Sequence, residues 1–414
     1  LKFQHSSFRA EACQGCRSTY KKKWVLFMGN FAEHFSLSLK HHKTASGHTS
    51  HFAAHSHHPW PDASLAGQKQ AWQDAAVNLD DKWDTVFGTI VPDVQKGIAA
   101  RIGLNEADSP NICFAPNTHE LVNRLLSCLP ENPTIISSDS EFHSFNRQMT
   151  RLQEESKVKW IQVPSEPFDT YETRLKETLQ TQKADMIFLS HTLFNSGYIM
   201  QDLEGIIDTI NDSETFVVID GYHSFMALPI DWTPFKDRAF FLSGGYKYAM
   251  SGEGCCFMYC PNGYGMRPRN TGWYASFGTL QVQQNKREVP YAEGGMRFMG
   301  ATFDPSGLYR MRSVFKWMDE QNITPQTART YTQELQEQFV KETHNINLGK
   351  LVNAPGKHTG QFLTYESPNS PELYQKLKEQ NILTDVRGER IRFGFGIYHT
   401  SADVSALSGI LHSL

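Results

Sequence analysis

The stretch 215–248, TFVVIDGYHSFMALPIDWTPFKDRAFFLSGGYKY, constrains the chain more than any other. Residues 216–219 form an uninterrupted apolar run, rich in β-branched side chains, that stops at Asp220. Such a run predicts a strand covered on both faces, with the carboxylate where the strand leaves the sheet. A second run, 239–242, leads through small residues to Lys247. An acid and an amine 27 positions apart are thereby delivered to one edge of a parallel sheet. Ligands of open α/β sheets bind at that edge, beyond the carboxyl ends of the strands.

The same alternation extends upstream. Segments 111–115, 134–136, 158–163 and 184–189 read as strands, with helical segments between them, so parallel βαβ units and an α/β class are expected. Chain length, 414 residues, exceeds what one simple core organises and predicts a large and a smaller domain. Three parts are expected: an extension at 1–50, poorly ordered; an N-terminal arm and large domain at 51–285; and an interdomain segment with a small C-terminal α/β domain at 286–414. The net charge of −4 gives no electrostatic case for nucleic acid or an anionic membrane, and no apolar run is long enough to span one. Seven cysteines, several beside apparent strands, fit buried reduced thiols and a cytoplasmic location better than a disulfide framework.

Aspartate and lysine placed this way suit pyridoxal 5'-phosphate (PLP). The amine condenses with the aldehyde, and the carboxylate keeps the pyridine nitrogen protonated so that the ring withdraws electrons. The flanking residues sharpen this. Asp220-Gly-Tyr-His223-Ser resembles the Asp-x-x-His-Ser of kynureninases, and Gly244-Gly-Tyr246-Lys247-Tyr248 with Ser251-Gly-Glu-Gly254 resembles their Gly-Tyr-Lys-Tyr and its Gly-rich sequel. The chain thus resembles the class V aminotransferase family of fold-type I PLP-dependent enzymes, kynureninase nearest, over residues 52–414. The resemblance implies a large domain with a mainly parallel seven-stranded sheet, a homodimer with sites at the subunit interface, and a small-molecule amino-acid substrate.

Individual roles follow from the same resemblance. Asn117 and Thr118 fall in the loop that grips the PLP phosphate, where a helix N-terminus also suits an anion and where either residue can cap the helix. Phe142 matches the aromatic that stacks on the pyridine, with His143 the alternative in a register shifted by one. Asn195 or Ser196 takes the place of a threonine beside the ring, and a simple turn needs the same residues. His223 lies against the cofactor, and Tyr246 and Trp273 donate to the phosphate. Thr302 matches a residue that reaches the phosphate of the neighbouring subunit, although Ala301 stands where the family has glycine. Arg392, in the last strand, matches the clamp for the substrate carboxylate; Arg387 and Arg390 read as surface or ion-pair residues. Ser56 and His57 align with a substrate-lining segment, in which His55 replaces asparagine.

Seven of the 17 histidines lie between His41 and His58, a tract read chiefly as a tail, and Cys13 with Cys16 makes an isolated Cys-x-x-Cys for which no metal role is assigned. Leu65, Trp72, Val77, Trp83, Val86, Ile90, Val94 and Ile98 recur at roughly helical spacing and read as core. The expected reaction is kynureninase-like hydrolysis of a Cβ–Cγ bond. Its alternatives are transamination, another PLP-dependent lyase reaction, or a fold that has kept binding and lost catalysis. Cysteine desulfuration is set aside because it needs a nucleophilic thiol in the C-terminal part and no cysteine follows Cys260.

Overall fold

A computed structural model describes residues 31–279, 288–356 and 358–414. The central sheet has seven strands: β1 (Ile112–Ala115), β2 (Thr134–Ser138), β3 (Lys159–Val163), β4 (Met186–Ser190), β5 (Phe216–Asp220), β6 (Ala239–Gly244) and β7 (Cys256–Tyr259). They lie in the order β1-β7-β6-β5-β4-β2-β3. β6, β5, β4, β2 and β3 are mutually parallel, and β7 is antiparallel to both its neighbours. β5 is therefore the middle strand, and its residues 216–219 are buried, as a strand without alternating polarity must be.

Helices α1 (Ala63–Asn78), α2 (Val91–Arg101), α3 (Thr118–Leu126), α4 (His143–Glu154), α5 (Tyr171–Thr181), α6 (Leu203–Ile207) and α7 (Ser306–Glu320) accompany this sheet. α1 runs against α7 at close range: a Cβ on Gly67 would lie 2.4 Å from the Tyr309 carbonyl oxygen, so only glycine fits there. Val86, Ile90, Val94 and Ile98 are core residues as expected. Leu65, Trp72 and Val77 are not: they are 40, 72 and 78% exposed, because α1 buries its small residues Ser64, Gly67 and Ala71 instead.

The C-terminal part adds α8 (Pro325–Glu342), β8 (Lys350–Leu351), β9 (Phe362–Glu366), α9 (Ser370–Glu379), β10 (Asp385–Arg387), β11 (Arg390–Gly394) and α10 (Ser401–Ser413). Its four strands form an antiparallel sheet in the order β10-β11-β9-β8.

The expectation of a poorly ordered extension through residue 50 fails for 31–50. Phe31, Phe35 and Leu39 are buried, with Phe35 against Trp317 and Tyr398 at ring separations of 5.9 and 5.6 Å. Downstream, the chain bridges to the small sheet region at His51–Leu383 and Ala53–Gly394. His51, His55 and His58 are consequently buried rather than part of a solvated tail. The Cys13–Cys16 motif lies outside the described residues.

Candidate active site

Parallel register sets Ser190 beside Asp220 and Asp220 beside Leu242, so the ends of β4, β5 and β6 share one edge. The Asp220 carboxylate accepts the Tyr222 N–H at 2.8 Å, which fixes its direction at the strand exit. Past β6 the chain turns tightly: Gly245 N–H donates to Cys255 O at 3.1 Å and Ser251 N–H to Gly245 O at 2.7 Å. Buried Arg310 of α7 clasps this turn, donating to the Ser251 carbonyl at 2.9 Å and to the Glu253 carbonyl. Lys247 projects from the turn. Its Nζ donates to the His55 carbonyl at 3.1 Å, lies 2.5 Å from His223 Nε2, and stands 5.9 Å from the centre of the Phe142 ring.

Electrostatics suit the chemistry expected of these groups. Burial, reinforced by the Arg392 charge, brings the Lys247 amine down to about 7, against the pull of Asp220 and Asp385. A useful fraction is then the free, nucleophilic base near neutrality. Burial raises the Asp220 carboxyl to about 6, with the Tyr222 N–H and Lys247 opposing. His223 is held well below the usual imidazole range by burial and by Lys247 and Arg392, so it is neutral and its Nε2 can accept from Nζ–H.

These groups open on a cavity of about 980 Å³. Asn117, Thr118, Phe142, His223, Tyr246, Asp220, Lys247, Arg392 and Ser56 line it together. Asn117 also caps α3, accepting the Glu120 N–H at 3.0 Å. The cavity aromatic on α4's approach is Phe142, 44% exposed, while His143 packs edge-on against Phe194. His57 is tied to the site through Tyr246: its Nδ1 and the tyrosine hydroxyl are 2.8 Å apart. Arg392 is buried and braced, giving Nε and Nη2 to Asp385, the latter at 2.7 Å, and Nη1 to the Phe194 carbonyl.

Asn195 and Ser196 do not line the cavity. The segment after β4 folds back through Leu193 N–H to Tyr198 O and a Thr192–Ile199 bridge, so its tip faces the small domain, where Gly360 N–H meets Gly197 O. Asn195 accepts from Ser140, and Ser196 is fully buried under the Tyr198 N–H. Thr192 and Phe194 occupy the cavity wall instead. Trp273 and Thr302 also lie off the cavity, bonded to one another, indole N–H to hydroxyl at 2.8 Å.

Sequence reasoning left out several wall residues. Arg387, read as a surface or ion-pair residue, does pair with Asp385, which it shares with Arg392, and it also lines the cavity. Glu141, fully buried behind Ser190, accepts from Ser138 Oγ at 2.6 Å, from Ser190 Oγ and from Ser190 N–H at 3.2 Å. Its signal was available: an acid between two strand-end serines and a helix has no solvent to face. Cys256 lines the cavity too, but burial pushes its thiol, like that of Cys255, up to about 12.

PLP fits this donor set. Lys247 would answer the aldehyde, Asp220 the ring nitrogen, the open face of Phe142 the ring, and the α3 N-terminus with Thr118 and Tyr246 the phosphate. Fold and site together define a fold-type I PLP-dependent enzyme, which sets aside the non-catalytic alternative. The aminotransferase class-V family model matches residues 84–407, and the chain belongs to that family. Among curated protein sequences, none matches the chain. Solved structures with the same fold include a C-DES mutant with glycine covalently linked to the PLP cofactor, at 15% identity and a TM-score of 0.73, covering 87% of this chain and 96% of that one. The cystine C–S lyase C-DES in complex with its product cysteine persulfide matches at 15% identity and a TM-score of 0.73, over 87% of this chain and 97% of that one. The apo cysteine desulfurase from Thermococcus onnurineus NA1 matches at 14% identity and 0.71, over 88% and 94%. At such identities the likeness carries the fold; it does not favour kynureninase, and it brings in the desulfurases that the sequence sets aside.

Proposed function

We propose that the chain hydrolyses the Cβ–Cγ bond of an amino acid bearing a carbonyl at Cγ, as kynureninases do. The observation that carries this reading is the contact between Lys247 Nζ and neutral His223 Nε2, in a cavity walled by Phe142, Phe194 and Tyr222. PLP, when bound, supplies an electron sink for the substrate α-carbon. Asp220 holds the ring nitrogen's proton. Lys247 Nζ takes the α-proton and returns it, and His223 orients Nζ by accepting one of its N–H groups. Arg392, fixed by Asp385 and the Phe194 carbonyl, presents its remaining N–H groups to the α-carboxylate. Water adds to the Cγ carbonyl, the Cβ–Cγ bond breaks, and Cβ takes up a proton: kynurenine plus water gives anthranilate plus alanine.

A second reading, elimination of a thiol from Cβ, is supported by the likeness to the cystine C–S lyase. It needs the same lysine, aspartate and arginine. A desulfurase that carries sulfur on its own thiolate fits less well, since Cys255 and Cys256 are buried and held protonated.

Homodimerisation is part of the proposal. The exposed Leu65, Trp72 and Val77 of α1 and the position of Trp273 and Thr302 away from their own chain's cavity both support it.

The deciding test incubates PLP-loaded protein and its Lys247→Ala variant with L-kynurenine and, separately, L-cystine. Anthranilate and alanine in equal amounts from kynurenine, only with the parent, are expected. Pyruvate and sulfur products from cystine, with no alanine from kynurenine, would move the assignment to the C–S lyase.

A further inference from the structure

His55 is fully buried, lines the active-site cavity, and has no hydrogen-bond partner at either ring nitrogen. An unpaired buried polar group costs on the order of 1–3 kcal/mol, so it is retained where something completes it. Its ring is stacked on Phe362, with centroids 4.6 Å apart and planes 24° apart. The Arg392 guanidinium stands 5.6 Å from the centre of that same Phe362 ring. A Cβ on Gly394 would come within 2.2 Å of His55 Nδ1, so Nδ1 faces the β11 backbone and Nε2 is the nitrogen on the ring's far edge. The backbone of His55 is equally committed to the site, its carbonyl accepting from Lys247 Nζ.

Arg392 by itself offers an incomplete clamp. Of its five N–H groups, Nε–H and one on Nη2 go to Asp385, and one on Nη1 goes to Phe194 O. Two remain for a carboxylate that has about four acceptor positions. Burial and the neighbouring Arg392 and Lys247 charges keep His55 neutral, which leaves it one N–H to give without adding a further charge.

Resting on the PLP-dependent amino-acid reading above, we infer that His55 is a substrate-binding residue: its imidazole N–H is a second donor, beside Arg392, to the α-carboxylate of the amino acid. This places the carboxylate between the small-domain strand β11 and the N-terminal segment. It also assigns substrate contact to His55, where the sequence pointed to Ser56 and His57.

The test compares two probes that differ only at the carboxyl group, L-alanine and L-alaninamide, titrated into PLP-loaded protein and followed by the cofactor's visible absorption. Parent, His55→Phe and His55→Asn proteins are used; phenylalanine keeps the stack on Phe362 and removes the N–H, whereas the asparagine amide restores a donor. The expected result is that His55→Phe weakens L-alanine about 10- to 100-fold, the range for one hydrogen bond to a charged group, and leaves L-alaninamide within about twofold. His55→Asn should recover part of the loss. Equal weakening of both probes, or none, overturns the role of His55 while the parent's preference for L-alanine upholds the enzyme assignment. A parent that binds PLP and responds to neither probe overturns both.

Discussion

Lys247 Nζ and His223 Nε2 lie 2.5 Å apart, inside a site where burial pushes both groups toward their neutral forms. An amine so placed is a nucleophile and a base near neutrality, and the imidazole beside it is an acceptor rather than a competing cation. The first expectation concerns uptake of the cofactor by the apoprotein. With the amine brought down to about 7, the rate of PLP incorporation should climb about tenfold per pH unit below 7 and level off above it. Stopped-flow absorbance measures this directly, and a rate still rising steeply at pH 9 would contradict the lowered amine. Lys247→Ala should show no borohydride-stable attachment and lose at least about a thousandfold in turnover.

Glu141 gives a stability signature. Burial raises its carboxyl from 4.5 to about 7 despite donors from Ser138 and Ser190, and Asp220 adds to the rise. Tyr171, also buried, faces the same group. A raised carboxyl means that the native state holds a proton the unfolded chain has released between pH 4.5 and 7. Stability from this residue is therefore lost as pH rises through that window, by up to about 3 kcal/mol. Denaturant unfolding of the apoprotein at pH 5 and pH 8 should show a smaller difference between the two pH values in Glu141→Gln than in the parent. An unchanged difference would mean that Glu141 titrates normally.

Arg310 ties α7 to the turn that carries Lys247 through the carbonyls of Ser251 and Glu253. Arg310→Met leaves those acceptors unpaired in the interior and should cost about 2–4 kcal/mol. The turn should loosen before the fold does. Faster PLP loss on dialysis than for the parent, at a temperature where circular dichroism is unchanged, is the expected observation.

The exposed Leu65, Trp72 and Val77 on α1 bear on the assembly state. Trp72→Glu with Val77→Lys should shift the mass measured by light scattering from twice the chain mass toward once. If Thr302 completes a neighbour's phosphate site, PLP affinity should fall in parallel. A parent protein that is monomeric at micromolar concentration would remove the dimer and, with it, the role proposed for Thr302.

The sheet was legible because a strand covered on both faces needs a continuous apolar run, and residues 216–219 and 239–242 have nothing else to be. The strand-end chemistry followed, since Asp220 stops the first run and Lys247 comes five residues after the second. Arg392 was found through its motif, whereas its brace was not: Asp385 and the Phe194 carbonyl reach it from seven and 198 positions away. Asn195 and Ser196 were misplaced because a turn and a ligand site ask for the same residue types, and only the Thr192–Ile199 bridge decides which way the tip points. Composition misled at His41–His58, where a histidine-rich tract looks solvated until Tyr398, Phe362 and Phe35 are packed around it. Periodicity misled on α1, where the large apolar residues Leu65, Trp72 and Val77 are exposed and the buried face carries the small residues Ser64, Gly67 and Ala71.

The segment from His51 to His57 is paired with the small domain at Leu383 and Gly394, and within the same few residues it meets Lys247 through the His55 carbonyl and Tyr246 through His57. The strand that carries Arg392 and the reactive amine are therefore joined through one short length of main chain, and the link to the amine is a backbone oxygen that side-chain substitution does not delete. A change in the backbone of 51–57 alters the seat of β11 and the contact to Lys247 together.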